Sequence, residues 1–274
     1  MTPFSDLIKT VKQLRSENGC PWDKEQTHQS LRRHLLEESY EVLEVIDKNG
    51  SDEEFCEELG DLLFQVLLHA ELAEERGAFS ITDIATKLNQ KLIRRHPHVF
   101  DIQKLQNSAE VIEQWDKLKE KEKKRNSVFD GIPNDLPALQ KSEKIISKVT
   151  KVGFQWDTVD GPIEKLEEEL QELKLEIAKI STQSLVTRKI ASEISQDLKQ
   201  KIFDELGDVL FCSANIAYFF AINPEDALRA MLHRFERRFR FIETAVKNSG
   251  RRLEELSLAE MDVIWTQAKQ AEKS

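Results

Sequence analysis

One phrase occurs twice in this chain, as Glu57-Glu58-Leu59-Gly60-Asp61-Leu62-Leu63-Phe64 and as Asp204-Glu205-Leu206-Gly207-Asp208-Val209-Leu210-Phe211. In each copy a Glu and an Asp stand three residues apart, a spacing that puts both carboxylates on one helix face, about 5–6 Å apart at Cβ. Upstream of each lies a second acidic pair at the same spacing, Glu38 with Glu41 and Glu169 with Glu172. Two helices that each offer two carboxylates bring about four negative charges into one pocket, and such charges repel unless protons or cations compensate them. The pattern therefore predicts an acidic cage for divalent cations, built twice.

The rest of the sequence replays in the same order. Gly19-Cys20-Pro21-Trp22-Asp23 returns as Gly153-Phe154-Gln155-Trp156-Asp157, Lys91 to Arg95 as Arg234 to Arg238, and Trp115 with Lys119 as Trp265 with Lys269. Solenoid repeats run to only about 20–50 residues, so a period this long indicates a duplicated domain. The expected architecture is all-α: two tandem helical domains over residues 1–125 and 138–274, each a bundle around an acidic metal site, joined by a Gly- and Pro-bearing linker at 126–137.

Helical periodicity and turn residues set the expected elements. A first helix spans about 4–17 and ends at Asn18-Gly19, with Gly19 to Asp23 as a loop. Helices follow over about 30–48, from Ser51, where Glu54 completes a capping-box pattern, over 80–95 to a stop at Pro97, and over 108–124. The second copy has a longer connection between its acidic helices, around 181–197, expected to be frayed. The apolar run from Val209 to Ile222 is too short for the roughly 20 residues of a membrane span and reads as a buried core helix.

Composition closes off several classes. A formal charge of −10 opposes binding along a nucleic-acid backbone, because such binders carry basic stripes that displace counterions. The first residues hold no apolar signal region, and three widely spaced cysteines fit a reducing cytoplasm and not a disulfide framework. Hard oxygen ligands suit Mg²⁺, with Mn²⁺ as a substitute. Helical di-iron bundles use Glu-x-x-His, and these glutamates lack a His at that spacing. His69 reads as a satisfied helix-face residue. Arg94, Arg95, Arg234, Arg237 and Arg238 are candidate phosphate clamps. Lys119 and Lys269 add point charges, and the rings of Trp115 and Trp265 offer stacking faces for a base.

Taken singly, each feature has an ordinary explanation. A Glu-x-x-Glu pair in a Glu-rich helix is usually a solvated face, Arg clusters usually pair with nearby acids, and isolated Trp residues usually fill cores. Their joint recurrence in one order in both halves outweighs those readings, because a duplicated scaffold has no physical need to repeat four costly acids.

Through Cys20-Pro21-Trp22-Asp23, both acidic motifs, Arg94-Arg95-His96-Pro97-His98, Lys151-Val152-Gly153-Phe154, Phe235-Glu236-Arg237-Arg238-Phe239 and Trp265, the chain resembles the MazG nucleoside triphosphate pyrophosphohydrolases over essentially its whole length. The resemblance implies Mg²⁺-dependent hydrolysis of nucleoside triphosphates to monophosphate and pyrophosphate, with broad base tolerance, by helical domains that form homodimers. It carries metal ligation onto Glu38, Glu41, Glu58 and Asp61 and onto Glu169, Glu172, Glu205 and Asp208. Nucleotide contacts fall near Arg234, Arg237, Arg238, Trp265 and Lys269, and the second copy is expected to dominate turnover. Attack on the α-phosphorus by a metal-activated water is the expected chemistry, with Glu168 or its counterpart Glu37 as candidate base. The rival classes are a nucleotide-sensing or interaction bundle that binds without turnover, a phosphohydrolase that cleaves the γ-phosphate, and a metal-free structural duplication.

Overall fold

The computed structural model describes residues 2–100, 107, 110–111, 114–115, 118, 126–180 and 194–272. Among these residues every regular element is a helix. The chain divides into two compact units, Met1–Lys124 and Arg125–Ser274. The helix expected at 108–124 and the long connection expected at 181–197 lie largely outside the described residues; Gln196 and Asp197 already belong to the next helix.

In the first unit, α1 (Pro3–Arg15), α2 (Pro21–Glu25), α3 (Arg32–Lys48), α4 (Asp52–Glu75), α5 (Ile81–Arg95) and the single turn α6 (Pro97–Phe100) follow one another. The bundle forms where α1 and α3 pack on α4, with α5 against its far end. Its core joins Val11 of α1, Leu31 and the α4 pair Leu67 and Leu68, flanked by Leu7, Ile8, Leu63, Phe64, Leu72 and Ile81. The turn between α3 and α4 is sharp because Asn49 takes a left-handed conformation at φ 51°, which Asn tolerates better than most residues. Ser51 then caps α4, its hydroxyl accepting from the Glu54 amide while the Glu54 carboxylate accepts from the Ser51 amide. Ser80 and Asp83 repeat the device at α5.

The segment Gly19 to Asp23, expected as a loop, contains the short helix α2. Pro21 opens it at the first turn, where a missing N–H costs nothing. Asp23 is buried beside Arg15, whose guanidinium donates to the Asp23 carbonyl and, through Nε and Nη2, to both carboxylate oxygens of Glu75 at 2.7 and 2.8 Å. The motif thus fastens α1 and α2 to the end of α4.

His69 departs from its expected role. Its Nδ1 lies 2.8 Å from Nδ1 of His28, the rings are stacked within 5° of parallel, and both Nε2 atoms are buried without a hydrogen-bond partner. One Nδ1 must donate and the other accept. Burial, then the neighbouring His28, pushes the His69 pKa below the ordinary value of 6.5. A base with a lowered folded pKa leaves the unfolded chain binding more protons in acid, so its contribution is complete above the unfolded value and is lost as pH falls. The pair's own contribution to the melting temperature is therefore expected to drop between about pH 7 and 5, and His69→Gln is expected to remove that component of the slope. An unchanged slope in thermal melts of the variant would dismiss the pair as its source.

In the second unit, α7 (Ala138–Thr150), α8 (Asp160–Ala178), α9 (Gln196–Phe219), α10 (Pro224–Asn248), a short 3₁₀ turn (Leu253–Glu255) and α11 (Leu258–Ala271) follow in order. The hairpin α8–α9 is the counterpart of α3–α4, α7 packs on α9 and α10, and α11 packs on α10. Ile146, Cys212, Ala214, Ile242, Val246 and Ala268 are buried. Residues 126–137 are tied to α7, since Lys148 donates to the carbonyls of Val128 and Asp130 at 2.8 and 3.0 Å. The run from Val209 to Ile222, expected as a buried helix, is buried on one side only. Cys212, Ala214 and Asn215 point inward, whereas Leu210, Phe211, Phe220 and Ile222 are exposed. No single described helix is long and apolar enough to cross a membrane.

Candidate metal and nucleotide site

The hairpin α3–α4 gathers Glu38, Glu58 and Asp61, and the hairpin α8–α9 gathers Glu169, Glu205 and Asp208, in each case with one carboxylate oxygen per residue all within 4.8 Å of one another. The i,i+3 register on one helix and antiparallel packing against the next are enough to produce this convergence. The fourth acid of each predicted set acts on the trio: Glu41 raises the pKa of the Glu38 carboxyl, and Glu172 that of Glu205.

Electrostatics follow the crowding. Burial first, then Glu41 and Asp61, push the Glu38 carboxyl above the usual range. Glu58 is raised by desolvation and then by Glu41, Asp61, Glu57 and Glu44. Glu205 is raised by desolvation and then by Glu172, Glu169 and Asp208. Each group therefore favours a proton or a cation. Oxygens bound to Mg²⁺ at roughly 2.0–2.1 Å lie at most about twice that distance apart, so donors already within 4.8 Å need only a small closure. All-oxygen, all-carboxylate donors fit a hard divalent ion, and each group could hold one.

Two residues missed from the sequence complete the picture. One turn beyond Asp61, the buried Gln65 donates its amide to Glu38 at 3.4 Å. One turn before Glu169, Lys165 places its Nζ 2.6 Å from Glu169 and 3.0 Å from Glu168. Their signal was the i±4 register to the acidic motifs. The register positions are not conserved between the halves: Cys212 stands where Gln65 would recur, and His34 stands where Lys165 would. Burial first, then Glu169, raises the Cys212 thiol pKa, so it is an inert packing group in this setting.

The two candidate bases lie outside the trios. Glu37 is half-exposed and pairs with Arg33 and His34 at 3.1 and 3.0 Å, while Glu168 is exposed and pairs with Lys165.

The basic residues of the second unit converge on Glu272. Arg238 donates from Nε and Nη2 to one Glu272 oxygen at 2.9 and 2.7 Å, and Nη2 of Arg237 lies 3.6 Å from the other. Arg238, ahead of Arg237 and Arg234, holds the Glu272 carboxyl below the usual range. The guanidinium of Arg238 also sits over the Trp265 ring at 5.6 Å, and Phe235 packs on the same indole at 5.1 Å. The first unit repeats the stack, with Arg95 over Trp115 at 5.5 Å and His96 edge-on at 4.7 Å. The second arginine of each pair is thus engaged with its tryptophan, where the sequence suggested free stacking faces. Lys269 is exposed one turn beyond Trp265; Lys119 lies outside the described residues.

Against known proteins, residues 26–100 match the model of the MazG nucleotide pyrophosphohydrolase domain, a span that includes Glu38, Glu41, Glu58, Asp61 and Arg94-Arg95. The nucleoside triphosphate pyrophosphohydrolase/pyrophosphatase MazG of Thermotoga maritima is 40% identical, across 97% of this chain and 95% of its own length. The chain belongs to the MazG family. The nucleoside triphosphate pyrophosphohydrolase of Escherichia coli K12 is 38% identical across 99% of both chains. Both similarities run through both halves, so the MazG relationship extends over both acidic groups.

Proposed function

We propose that this MazG-family chain hydrolyses nucleoside triphosphates to the monophosphate and pyrophosphate, with broad base tolerance, as a Mg²⁺-dependent cytoplasmic enzyme that accepts Mn²⁺. The observation that carries this reading is the convergence of three carboxylates on each helix hairpin, in a chain alignable end to end with proteins named for that activity. A divalent cation held by either group would offset the substrate's charge and lower the pKa of a water.

The remaining roles belong to the protein. Glu38, Glu58 and Asp61, with Glu41 beside them, and Glu169, Glu205 and Asp208, with Glu172, are the metal-holding sets. Glu168, or Glu37 in the first unit, accepts the proton of the attacking water after leaving its basic partner. Arg237, 61% exposed, takes the leaving pyrophosphate together with Arg234 and Lys269, and Arg94 and Lys119 are their counterparts in the first unit. Arg238, 22% exposed, and Arg95 hold Trp265 and Trp115 in place beside those groups. A stripe at i, i+3 and i+7 on α9, formed by the exposed Phe203, Leu206 and Leu210, supports assembly as a homodimer, because burial would remove an apolar ridge from water.

Cleavage position tests the reading. Turnover in water labelled with heavy oxygen is expected to place the label in the nucleoside monophosphate. Label in inorganic phosphate, with a diphosphate co-product, would mean γ-phosphate cleavage and overturn the proposal.

A further inference from the structure

The two acidic groups differ in one respect that the shared motif conceals. In the first unit the largest influences on Glu38 besides burial are two acids and an amide, Glu41, Asp61 and Gln65, and those on Glu58 are acids. The residue one turn before Glu38, His34, turns to Glu37 at 3.0 Å. In the second unit the same register position holds Lys165, whose ammonium lies 2.6 Å from Oε1 of Glu169. Glu169 is the deepest acid of either trio, 5% exposed, so its carboxylate leaves water almost completely and takes a tethered cation in exchange. A charge-assisted contact of this length is among the stronger hydrogen bonds a protein makes.

We propose that Lys165 is a built-in counter-ion of the second acidic group, which a divalent cation must displace from Glu169, so that the second group loads metal at higher concentration than the first. The inference rests on the reading of both groups as metal sites. Three steps support it. A carboxylate oxygen already accepting from an ammonium must give up that bond to become a ligand. An ammonium left close to a bound dication is repelled by it, so Lys165 has to swing outward, and four rotatable bonds on a side chain 38% exposed allow the movement. The first group sets no such toll, because the Gln65 amide that meets Glu38 is neutral and its 3.4 Å contact is long for a hydrogen bond. Losing one charged hydrogen bond before binding corresponds to a weakening of about tenfold or more.

Titration of the full chain with Mn²⁺ alone, following free Mn²⁺ by electron paramagnetic resonance, reads the affinities without turnover. The wild type is expected to show two classes of site, the tighter abolished by Glu58→Gln and the weaker by Glu205→Gln. Lys165→Met is expected to tighten the weaker class about tenfold and to leave the tighter class unchanged. Lys165→Gln keeps a donor to Glu169 without the charge and carries the same expectation should the Met variant fail to fold. Two classes in the wild type with the weaker unmoved or further weakened in both variants would overturn the counter-ion role, as would a wild type whose second group is the tighter one. Mn²⁺ binding that is absent, or that survives both Glu58→Gln and Glu205→Gln, would instead overturn the reading of the groups as metal sites, and the inference with it.

Discussion

Glu205→Gln is expected to lower kcat by at least about a hundredfold, since metal-centred stabilisation of a phosphoryl transition state is worth several kcal/mol and each 1.36 kcal/mol is a factor of ten. Glu205 is crowded by acids, with Glu172, Glu169 and Asp208 all raising its pKa behind desolvation. Replacing it with Gln keeps the shape and one hydrogen-bonding oxygen but removes the charge that recruits a cation. Glu58→Gln, its counterpart on α4, is expected to cost less, because the second copy is proposed to carry most of the turnover. Steady-state kinetics of both variants on one nucleoside triphosphate, across a range of Mg²⁺, provide the comparison. A larger loss from Glu58→Gln would reverse the assignment, and equal losses would mean two equivalent sites. If Lys165 competes for Glu169, activation by Mg²⁺ should also follow the weaker class of site and persist in Glu58→Gln with an unchanged midpoint.

Much of this arrangement was legible in the sequence because it depends on helical register alone. Glu38 and Glu41, or Glu205 and Asp208, must share a face if the segment is helical, and a short turn such as Asn49-Gly50-Ser51 makes the next helix an antiparallel neighbour. The cap at Ser51 follows from a local bonding pattern and needs no tertiary information. What escaped were contacts between helices, where residue type does not name the partner. Glu272 gathers Arg237 and Arg238 from another helix, and nothing in its local sequence separates it from other glutamates near a chain end. Arg15 reaching the Asp23 carbonyl and Glu75, which fastens the short helix Pro21–Glu25, is another such contact. Lys165 was within reach of a register argument, one turn from Glu169, but Lys–Glu pairs at that spacing are commonplace on solvated faces. Only the burial of Glu169 distinguishes this one.

The acidic groups' contribution to stability in chelator is expected to fall as pH rises from about 4.5 towards 8, opposite in sign to the His69 contribution, and divalent metal is expected to abolish that fall. The sign follows from Glu38, Glu58 and Glu205, whose carboxyls are all raised above the ordinary 4.5 in the folded chain. A folded state with raised pKa values binds more protons than the unfolded state, so the stabilisation is complete below the unfolded value and is lost as pH climbs through the folded ones. A dication compensates the same charges without a proton. At a free concentration of 100 times its dissociation constant it adds about 2.7 kcal/mol by mass action. Glu58→Gln removes one of the repelling charges, so its melting temperature in chelator near neutral pH should equal or exceed that of the wild type, its pH slope should be shallower, and its gain from metal should be much smaller. Glu169→Gln should behave in the opposite way, melting lower in chelator because Lys165 then loses the carboxylate it faces at 2.6 Å. Thermal melts of the three proteins, in EDTA and in saturating Mg²⁺, separate repulsion from salt-bridge support within one motif. A Glu58→Gln protein that melts far below the wild type in EDTA, beside a wild type indifferent to Mg²⁺, would show that these acids hold the bundle together and do not await a cation.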